Sequence, residues 1–236
     1  GCVYLVGAGP GDPELFTLRG ARLVAGADVI VYDNLVAPPI LELAPASAER
    51  IYVGKKAADH SLPQDEINLL LLKLARENKR VVRLKGGDPF IFGRGGEEME
   101  LLVDAGVHVE VVPGVTAAAG VSAYAGIPLT HREHAQSVVF ATGFLKEGKI
   151  DLDWPMLARP QQTVVIYMGI SRLADICAQL VAHGLPPSTP AGVIERGTTH
   201  AQRVVVADLA TLPQRVLEEG VRPPSLTVVG SVVGLY

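Results

Sequence analysis

The segment at residues 83–98 combines glycines, charged residues and aromatic residues in an order that could bind a ligand. It reads RLKGGDPFIFGRGGEE and directly follows an apolar pair, so a strand that ends there would lead into a loop. Gly86 and Gly87 would let a ligand lie against the main chain, because no Cβ stands in the way. Asp88 could accept hydrogen bonds from an amine or from hydroxyl groups. A strand followed by such a loop predicts a binding site more than a simple turn.

Charged residues also follow two earlier apolar runs of the chain. Asp33 comes directly after the second run, and Lys55 comes after the third. If these runs are parallel strands of one sheet, both side chains reach the carboxyl edge, where such folds bind ligands. Each residue alone would more often be a solvated surface charge. Their shared edge favours a common crevice that also includes Gly7 and residues 86–88.

Cationic side chains could bind an acidic ligand at this edge, since guanidinium groups pair with carboxylates through two hydrogen bonds. The alternative is a set of surface ion pairs that each contribute little. Glu97 and Glu98 fit the start of a helix, where acids complement the helix dipole. His131 and His134 lack the cysteine or carboxylate spacing of a zinc site, so we predict no metal. The candidate cations are Lys55, Lys56, Arg94 and Arg132.

The first glycine loop matches a dinucleotide-binding fingerprint only in part. Gly7, Gly9 and Gly11 follow a G-x-G-x-G spacing, but Asp12 occupies the place of the third glycine. An acid there would repel a phosphate, and the neighbouring prolines remove backbone donors. A tight turn from strand to helix is the alternative, with Pro13 near the helix start. The motif therefore disfavours nicotinamide or flavin binding.

The composition argues against several classes of protein. A formal net charge of −4 over 236 residues is the opposite of the basic excess expected in a protein that coats nucleic acid. Two cysteines are too few for a disulfide framework and suit a reducing compartment. No stretch reaches the roughly 18 apolar residues of a membrane span, and the first residues lack a signal-peptide pattern. We expect a cytoplasmic protein that contacts neither nucleic acid nor membrane.

Short runs rich in valine and isoleucine predict ten β-strands. In the first half, helical patterns such as residues 63–75 separate the strands, which favours a doubly wound, mostly parallel sheet covered on both faces. In the second half the strands lie closer together and residues 196–199 fit a hairpin loop, which indicates a mixed sheet. The predicted strands are 2–6, 28–32, 50–53, 80–84, 107–112, 137–141, 163–168, 191–195, 203–207 and 226–229.

The chain is thus predicted to form two α/β domains. Residues 1–113 would be the N-terminal domain and residues 137–236 the C-terminal domain. Between them, residues 114–136 break the rhythm of strands and helices, and we interpret them as a linker with an inter-domain helix that begins near the small residues 116–119.

Four motifs in this order resemble the uroporphyrinogen-III C-methyltransferases, and the likeness covers essentially the whole chain. The resemblance implies that S-adenosylmethionine methylates two pyrrole carbons of uroporphyrinogen III, giving precorrin-2 by way of precorrin-1. This product feeds sirohaem, cobalamin and haem d1 synthesis. The resemblance also implies two α/β domains with the active site in the cleft between them, and a homodimer. The motifs are VGAGPGDPE at 6–14, RLKGGDPFIFGRG at 83–95, PGVTA at 113–117 and GIPLTHR at 126–132.

The same resemblance implies roles for individual residues. Asp33 and Lys55 match the proton acceptor and proton donor of the family, and Arg94, Glu97 and Arg132 match polar positions of its cleft. A methionine such as Met168 at a strand end is usually part of the core, but it could instead line an apolar adenine pocket. The positions that match cofactor contacts are Pro10, Gly86, Gly87, Asp88, Ile91, Thr116, Ala117, Met168 and Gly197.

The expected chemistry needs a proton acceptor as well as a methyl donor. The methylated macrocycle must lose a proton, and Asp33, Glu97 or Arg94 could take part in that step. Arginine is a poor base at neutral pH. We therefore expect Arg94, with Arg132 and Lys55, to bind the acetate and propionate groups of the substrate.

Alternatives stay open on the sequence alone. A later precorrin methyltransferase or a diphthine synthase would share the fold and the methyl donor, although residues 86–95 and 130–132 favour the first methyltransferase of the branch. From other classes, a nicotinamide-dependent oxidoreductase fits the first glycine loop, and a ligand-binding module without activity fits the convergent edge.

Overall fold

The computed structural model of the chain describes residues 1–54, 62–144 and 150–236. These residues form two compact units, Gly1–Thr116 and Ala117–Tyr236. The segment interpreted as a linker is divided between them, since residues 114–116 belong to the first unit and residues 117–136 to the second. Within the described ranges, the structure contains no helix with both the length and the apolar character needed to cross a membrane.

The first unit contains a parallel sheet of five strands in the order β3-β2-β4-β1-β5. Every neighbouring pair in this sheet is parallel. The runs of valine and isoleucine suit these strands, because a parallel sheet is buried on both faces. The strands are β1 (Cys2–Gly7), β2 (Val29–Tyr32), β3 (Glu49–Tyr52), β4 (Arg80–Lys85) and β5 (His108–Val112).

Helices cover both faces of this sheet. On one face Val6 and Ile30 pack with Leu23 of the first helix, and on the other face Leu5 and Val31 pack with residues of the third and fourth helices. Alternate residues of each strand point to opposite faces, so one strand supplies both cores. The helices are α1 (Leu18–Ala25), α2 (Pro38–Leu41), α3 (Gln64–Arg76) and α4 (Gly95–Asp104), and a 3₁₀ turn spans Pro13–Leu15.

The second unit contains a mixed sheet of five strands in the order β6-β7-β10-β8-β9. β6 and β7 are parallel, whereas β7–β10, β10–β8 and β8–β9 are antiparallel. The loop after Glu195 is therefore a hairpin connection, as its sequence predicted. The strands are β6 (Ser137–Thr142), β7 (Gln162–Tyr167), β8 (Pro190–Glu195), β9 (Arg203–Asp208) and β10 (Ser225–Val229).

Two separate cores hold the second unit together. Val164, Ile166 and Val193 pack with α6, α7 and α8 on one face. Val165 and Ile194 pack with α5 and the 3₁₀ turn Ser231–Leu235 on the other face. The helices are α5 (Ala117–Tyr124), α6 (Trp154–Leu157), α7 (Leu173–Ala182) and α8 (Leu212–Glu218), and another 3₁₀ turn spans Ile170–Arg172.

The predicted fold class is confirmed. Each of the ten predicted strands is present with its ends within one residue of the prediction. The predicted helix at 63–75 is α3, and the small residues after Thr116 begin α5. The C-terminal end of β7 differs from the predicted strand 163–168, because β7 stops at Tyr167. Met168, a predicted site residue, therefore lies outside the strand.

Candidate functional site

The loops after β1 and β4 contact each other at the carboxyl edge of the first sheet. Gly87 N donates to Gly9 O at 2.7 Å, and Gly9 N donates to Gly87 O at 3.2 Å. Ala8 N also donates to Lys85 O at 2.8 Å. Parallel strands that end at one edge bring these loops together, as expected from the sequence.

The glycines of this edge are required first by contacts within the protein. A Cβ at Gly7 would lie 2.5 Å from Gly114 N and 2.6 Å from Gly87 O. A Cβ at Gly86 would lie 2.5 Å from the Cβ of Leu35, in the loop after β2. Gly87 itself has a φ of 67°, a conformation that side chains disfavour. The segments at the ends of β1, β4 and β5 therefore meet in close main-chain contact, and the side chain of Leu35 from the loop after β2 packs against Gly86.

Pro10 and Asp12 belong to a turn and not to a phosphate cradle. Asp12 precedes the 3₁₀ turn and accepts a hydrogen bond from Glu14 N at 2.8 Å. Pro13 opens that turn. The first glycine loop is thus the tight strand-to-helix turn given as the alternative interpretation, and Pro10, partly buried, lies within it.

Asp88 joins two loops of the edge. Its Oδ1 accepts a hydrogen bond from Phe90 N at 2.9 Å, and its Oδ2 accepts one from Gly114 N at 3.0 Å. Each carboxylate oxygen can accept a further bond, so a ligand hydroxyl or amine could still bind. Ile91 continues this loop and is partly buried. Asp88 therefore shapes the predicted cofactor loop.

Arg94 and Glu97 pair with each other at the start of α4. Arg94 Nε donates to Glu97 Oε1 at 2.9 Å, and Arg94 NH2 donates to Glu97 Oε2 at 2.6 Å. Both side chains are about half exposed, and the Glu97 contact raises the pKa of Arg94. Arg94 has a φ of 57°, and Phe92 in the same loop has a φ of 52°. Strained residues of this kind cluster at functional sites, which supports a role for the loop.

Asp33 lies at the carboxyl edge, directly after β2. Its Oδ1 accepts a hydrogen bond from Leu35 N at 3.0 Å, and its Oδ2 lies 3.7 Å from NH1 of Arg83. The side chain keeps 23% of its surface exposed, so a ligand can reach it. Lys55 and Lys56, which the sequence predicted for the same crevice, lie outside the described residues.

A buried ionic network beneath this edge was missed by the sequence interpretation. Glu98 is fully buried, and its Oε1 accepts hydrogen bonds from Lys85 Nζ at 2.8 Å and from Arg83 Nε at 3.3 Å. Gln64 Nε2 of α3 donates to the same oxygen at 3.1 Å. Burial and the charge of Arg83 lower the pKa of Lys85 despite the Glu98 partner. Glu98 is thus more than an acid that complements a helix start.

A signal for this network does exist in the sequence. Arg83 and Lys85 are two residues apart in β4, so both side chains lie on one face of the sheet. Their neighbours Val81, Val82 and Leu84 are apolar. Charged residues are almost never fully buried unless they are paired. A carboxylate on a covering helix was therefore to be expected, although the sequence does not say which one.

In the second unit, α5 lies against two of the loops predicted to bind the cofactor. Tyr167 OH accepts a hydrogen bond from Ala118 N at 3.0 Å, which ties the start of α5 to the end of β7. Met168 follows with a φ of 53° and 48% of its surface exposed, so it is not a core residue. Ala117 opens α5, and Thr116 is the last residue of the first unit.

Gly197 also packs against α5. A Cβ at Gly197 would lie 2.5 Å from Cγ2 of Val121, which leaves no room for a side chain. Arg196 and Thr198 on either side have φ angles of 48° and 65°. The structure thus ties Gly197 and Tyr167, the residue before Met168, to the helix that Ala117 opens.

Arg132 lies on the exposed turn between His131 and Ala135. Its main-chain oxygen accepts a hydrogen bond from Gln136 Nε2 at 2.7 Å. In residues 1–54, 62–144 and 150–236, its guanidinium has no ion-pair partner. His131 Nδ1 accepts a hydrogen bond from Glu133 N at 3.1 Å. Across the same residues, no group of three or more His, Cys, Asp or Glu side chains is arranged to hold a metal ion.

A cavity of about 300 Å³ lies at the other end of the second sheet. Gln162 and Pro190, which line it, are the first residues of β7 and β8. Met168 and Gly197 follow the last residues of those strands. Within the second unit, the cavity is therefore separate from Met168 and Gly197.

Comparison with known proteins relates the whole chain to one family. Residues 2–213 match the family model of tetrapyrrole (corrin/porphyrin) methylases. The chain is 59% identical over 236 residues to siroheme synthase from Nitrosospira multiformis, a match that covers 100% of this chain and 50% of that protein. The chain therefore spans about half the length of such curated relatives.

Solved structures match over all or nearly all of the chain. Uroporphyrin-III C-methyl transferase from Thermus thermophilus, complexed with S-adenyl homocysteine, is 46% identical with a TM-score of 0.85, and the match covers 100% of both chains. A cobalt precorrin-4 methyltransferase of cobalamin biosynthesis gives a TM-score of 0.86 but only 28% identity, over 98% of this chain and 95% of the other.

Proposed function

The chain belongs to the tetrapyrrole (corrin/porphyrin) methylase family, and we propose that it is a uroporphyrinogen-III C-methyltransferase. It transfers methyl groups from S-adenosylmethionine to two pyrrole carbons of uroporphyrinogen III, giving precorrin-2 by way of precorrin-1. The observation that carries this proposal is the full-length match, at 46% identity, to the Thermus thermophilus enzyme complexed with S-adenyl homocysteine. The lower identity to the precorrin-4 methyltransferase favours the first methylation over a later one.

S-Adenosylmethionine supplies an activated methyl group when it is bound. In the first unit, Gly87 fits such a ligand because its partly exposed main chain carries no side chain. In the second unit, Met168 offers a half-exposed apolar side chain. Asp88 retains acceptor capacity for hydroxyl or amino groups. The proposed cofactor-binding residues are Pro10, Gly86, Gly87, Asp88, Ile91, Thr116, Ala117, Met168 and Gly197.

The protein contributes mainly by positioning the two reactants. Holding them in a near-attack geometry can supply roughly 7–11 kcal/mol of the barrier. We propose Asp33 as the proton acceptor and Lys55 as the proton donor. Asp33 is preferred over Glu97 as the acceptor because Arg94 already engages both oxygens of Glu97.

Arginines would bind the carboxylates of the substrate. Uroporphyrinogen III carries eight carboxylates and the chain has a formal net charge of −4, so local cations must offset the repulsion. Arg132 is exposed, and Arg94 is exposed beside Glu97. We propose that both bind acetate or propionate groups, with Lys55 as a third contact.

We also propose that the chain acts as a cytoplasmic homodimer. The resemblance to the family supports the dimer, and the two cysteines suit a reducing compartment.

A product assay tests the proposed function. The chain is incubated with S-adenosylmethionine carrying a labelled methyl group and with enzymatically generated uroporphyrinogen III, and the masses of the products are measured by mass spectrometry. We expect products with one and then two added labelled methyl groups. Absence of methylation, or fluorescence evidence for tight binding of reduced nicotinamide, would contradict the proposal. A matched incubation without uroporphyrinogen III controls for methylation of the protein itself.

A further inference from the structure

Two cations and two carboxylates meet beneath the carboxyl edge of the first sheet. We refer to Asp33, Arg83, Lys85 and Glu98 as the charged quartet. The side chains of Arg83, Lys85 and Glu98 are 4%, 5% and 0% exposed, whereas that of Asp33 is 23% exposed. With all four ionised, the charges of the quartet balance. Only Asp33 reaches the surface where a ligand could bind.

Arg83 lies between the two carboxylates. Its Nε donates to Glu98 Oε1 at 3.3 Å, and its NH1 lies 3.7 Å from Asp33 Oδ2. NH1 also donates to Leu84 O at 3.0 Å, which fixes that side of the guanidinium. Because a guanidinium is a rigid planar fork, the Glu98 contact sets the direction of the nitrogen that faces Asp33.

Stability alone does not account for the quartet. Charges withdrawn from water lose hydration, and replacing a buried ionic group by packed apolar residues is often neutral or stabilising. Apart from Arg80 at its start, the rest of the strand is apolar, namely Val81, Val82 and Leu84. One atom of the group, Glu98 Oε2, has no hydrogen-bond partner among the residues that the structure describes. Such a costly arrangement directly behind Asp33 indicates a functional use.

We propose that Arg83 and Glu98 are positioning residues for Asp33. Glu98, supported by Lys85 and Gln64, holds the guanidinium of Arg83, and Arg83 together with Leu35 N holds the Asp33 carboxylate in one orientation at the edge. Glu98 touches neither substrate nor cofactor, because it is fully buried. This inference rests on the proposed function, in which Asp33 accepts the proton released after methylation.

The test is a double-mutant cycle built on Arg83→Lys and Asp33→Asn. Lysine keeps the charge but cannot span both carboxylates, so we expect kcat to fall about 10- to 100-fold, the effect of a shift of the order of 1 Å in a catalytic group. The KM for uroporphyrinogen III should stay unchanged, and so should the Kd for S-adenosylhomocysteine, which is measured by calorimetry. The kcat of the double variant should be no lower than that of Asp33→Asn alone, because Arg83 acts through Asp33.

Glu98→Gln provides a second variant, with thermal unfolding as the check on folding. We expect the same loss of kcat and again no further loss in the Asp33→Asn background. Glu49→Gln is the matched control, since Glu49 pairs with Lys79 at 3.3 Å at the other end of the sheet and should leave kcat unchanged.

Two results would overturn the inference. If the fold-losses in kcat from Arg83→Lys and Asp33→Asn multiply in the double variant, Arg83 acts independently of Asp33. If Asp33→Asn leaves kcat intact, Asp33 needs no positioning, although the methyltransferase function would still stand. Failure of the proposed function itself is distinguishable, because the wild-type chain would then add no methyl group to uroporphyrinogen III.

Discussion

At the scale of single residues, the candidate site depends on side chains that already have partners inside the protein. Asp88 accepts two main-chain hydrogen bonds, and Arg94 is paired with Glu97. Such residues are pre-organised, so binding a ligand costs less ordering of side chains. Arg132 differs, because it is exposed on a turn. We propose that its guanidinium is paired only when an anionic ligand binds.

Removing the guanidinium of Arg132 should weaken substrate binding. Charge-assisted hydrogen bonds contribute about 1.5–3 kcal/mol, so Arg132→Ala should raise the KM for uroporphyrinogen III by at least about 10-fold. Steady-state kinetics measures this change, and S-adenosylhomocysteine binding should not alter. Arg159→Ala, at the separate cavity of the second unit, is the control for loss of an exposed arginine. An unchanged KM in Arg132→Ala would rule out the anchoring role.

A bulky residue at Gly87 should abolish cofactor binding without unfolding the first unit. Gly87 has a φ of 67° in the loop proposed to contact the cofactor. Leucine would introduce a side chain there, with a backbone cost of about 1–2 kcal/mol. Calorimetry of Gly87→Leu should show no binding of S-adenosylhomocysteine, while thermal unfolding stays cooperative.

Gly106→Leu is the control that distinguishes the effect of backbone strain from the effect of blocking the cofactor site. Gly106 has a φ of 75° and follows α4 at the opposite edge of the sheet. A Cβ at this position would meet no atom of the described residues within 4 Å beyond its chain neighbours. This variant should carry a similar strain and still bind S-adenosylhomocysteine normally. Micromolar binding by Gly87→Leu would show that the cofactor lies elsewhere.

At the scale of elements, strand ends and loops were predictable to different degrees. Strand positions follow from runs of valine and isoleucine, because burial on both faces is reflected in residue type. The pairing of Arg83 and Lys85 with Glu98 was not predictable, since it depends on where α4 packs on the sheet. The usual expectation of a core position for Met168 was wrong, because β7 ends one residue earlier than predicted and leaves this side chain half exposed.

The loop after β8 is held by a buried carboxylate and should therefore respond to pH. Glu195 is 2% exposed, accepts hydrogen bonds from Arg222 N at 2.9 Å and Arg203 Nε at 2.6 Å, and lies 3.5 Å from Arg196. Burial opposes ionisation, but these hydrogen bonds and the arginine charges outweigh it and lower the pKa of Glu195. A carboxyl whose pKa is lowered by folding stabilises the protein above its unfolded pKa.

Glu195→Gln should accordingly lower stability at neutral pH by about 1.5–3 kcal/mol, the contribution of hydrogen bonds to a charged group. The loss is no larger because Arg196 and Arg203 are about half exposed and stay hydrated. As the pH falls below the usual carboxyl range and through the lowered pKa, the wild-type residue becomes protonated and loses its advantage. Thermal unfolding is measured for the wild type and for Glu195→Gln from neutral to acid pH. The difference between their unfolding temperatures should shrink as the pH falls. A difference in unfolding temperature that stays constant at every pH would contradict the linkage between the protonation of Glu195 and folding.

At the scale of the whole molecule, the chain consists of two units that each have their own sheet and cores. Large apolar side chains remain exposed in both units, including Leu18, Phe144 and Leu217. Isolated exposed apolar residues are common, but pairing of two chains would cover some of them. The fold class was predictable from the order of strands and helices, whereas the assembly state rests on the resemblance to the family.

Sedimentation velocity tests the proposed homodimer. We expect a single species with twice the mass of the chain, and its mass should hold on moderate dilution and in raised salt, since apolar contacts resist screening. A species of single-chain mass that retains full methyltransferase activity would contradict the proposed dimer.

The most direct test of the account is a crystal structure of the chain with S-adenosylhomocysteine. We predict that the nucleoside and amino-acid parts of this ligand contact the main chain at 86–88, the side chain of Ile91 and residue Thr116. A ligand that lies away from these residues, for example in the cavity lined by Gln162 and Pro190, would contradict it.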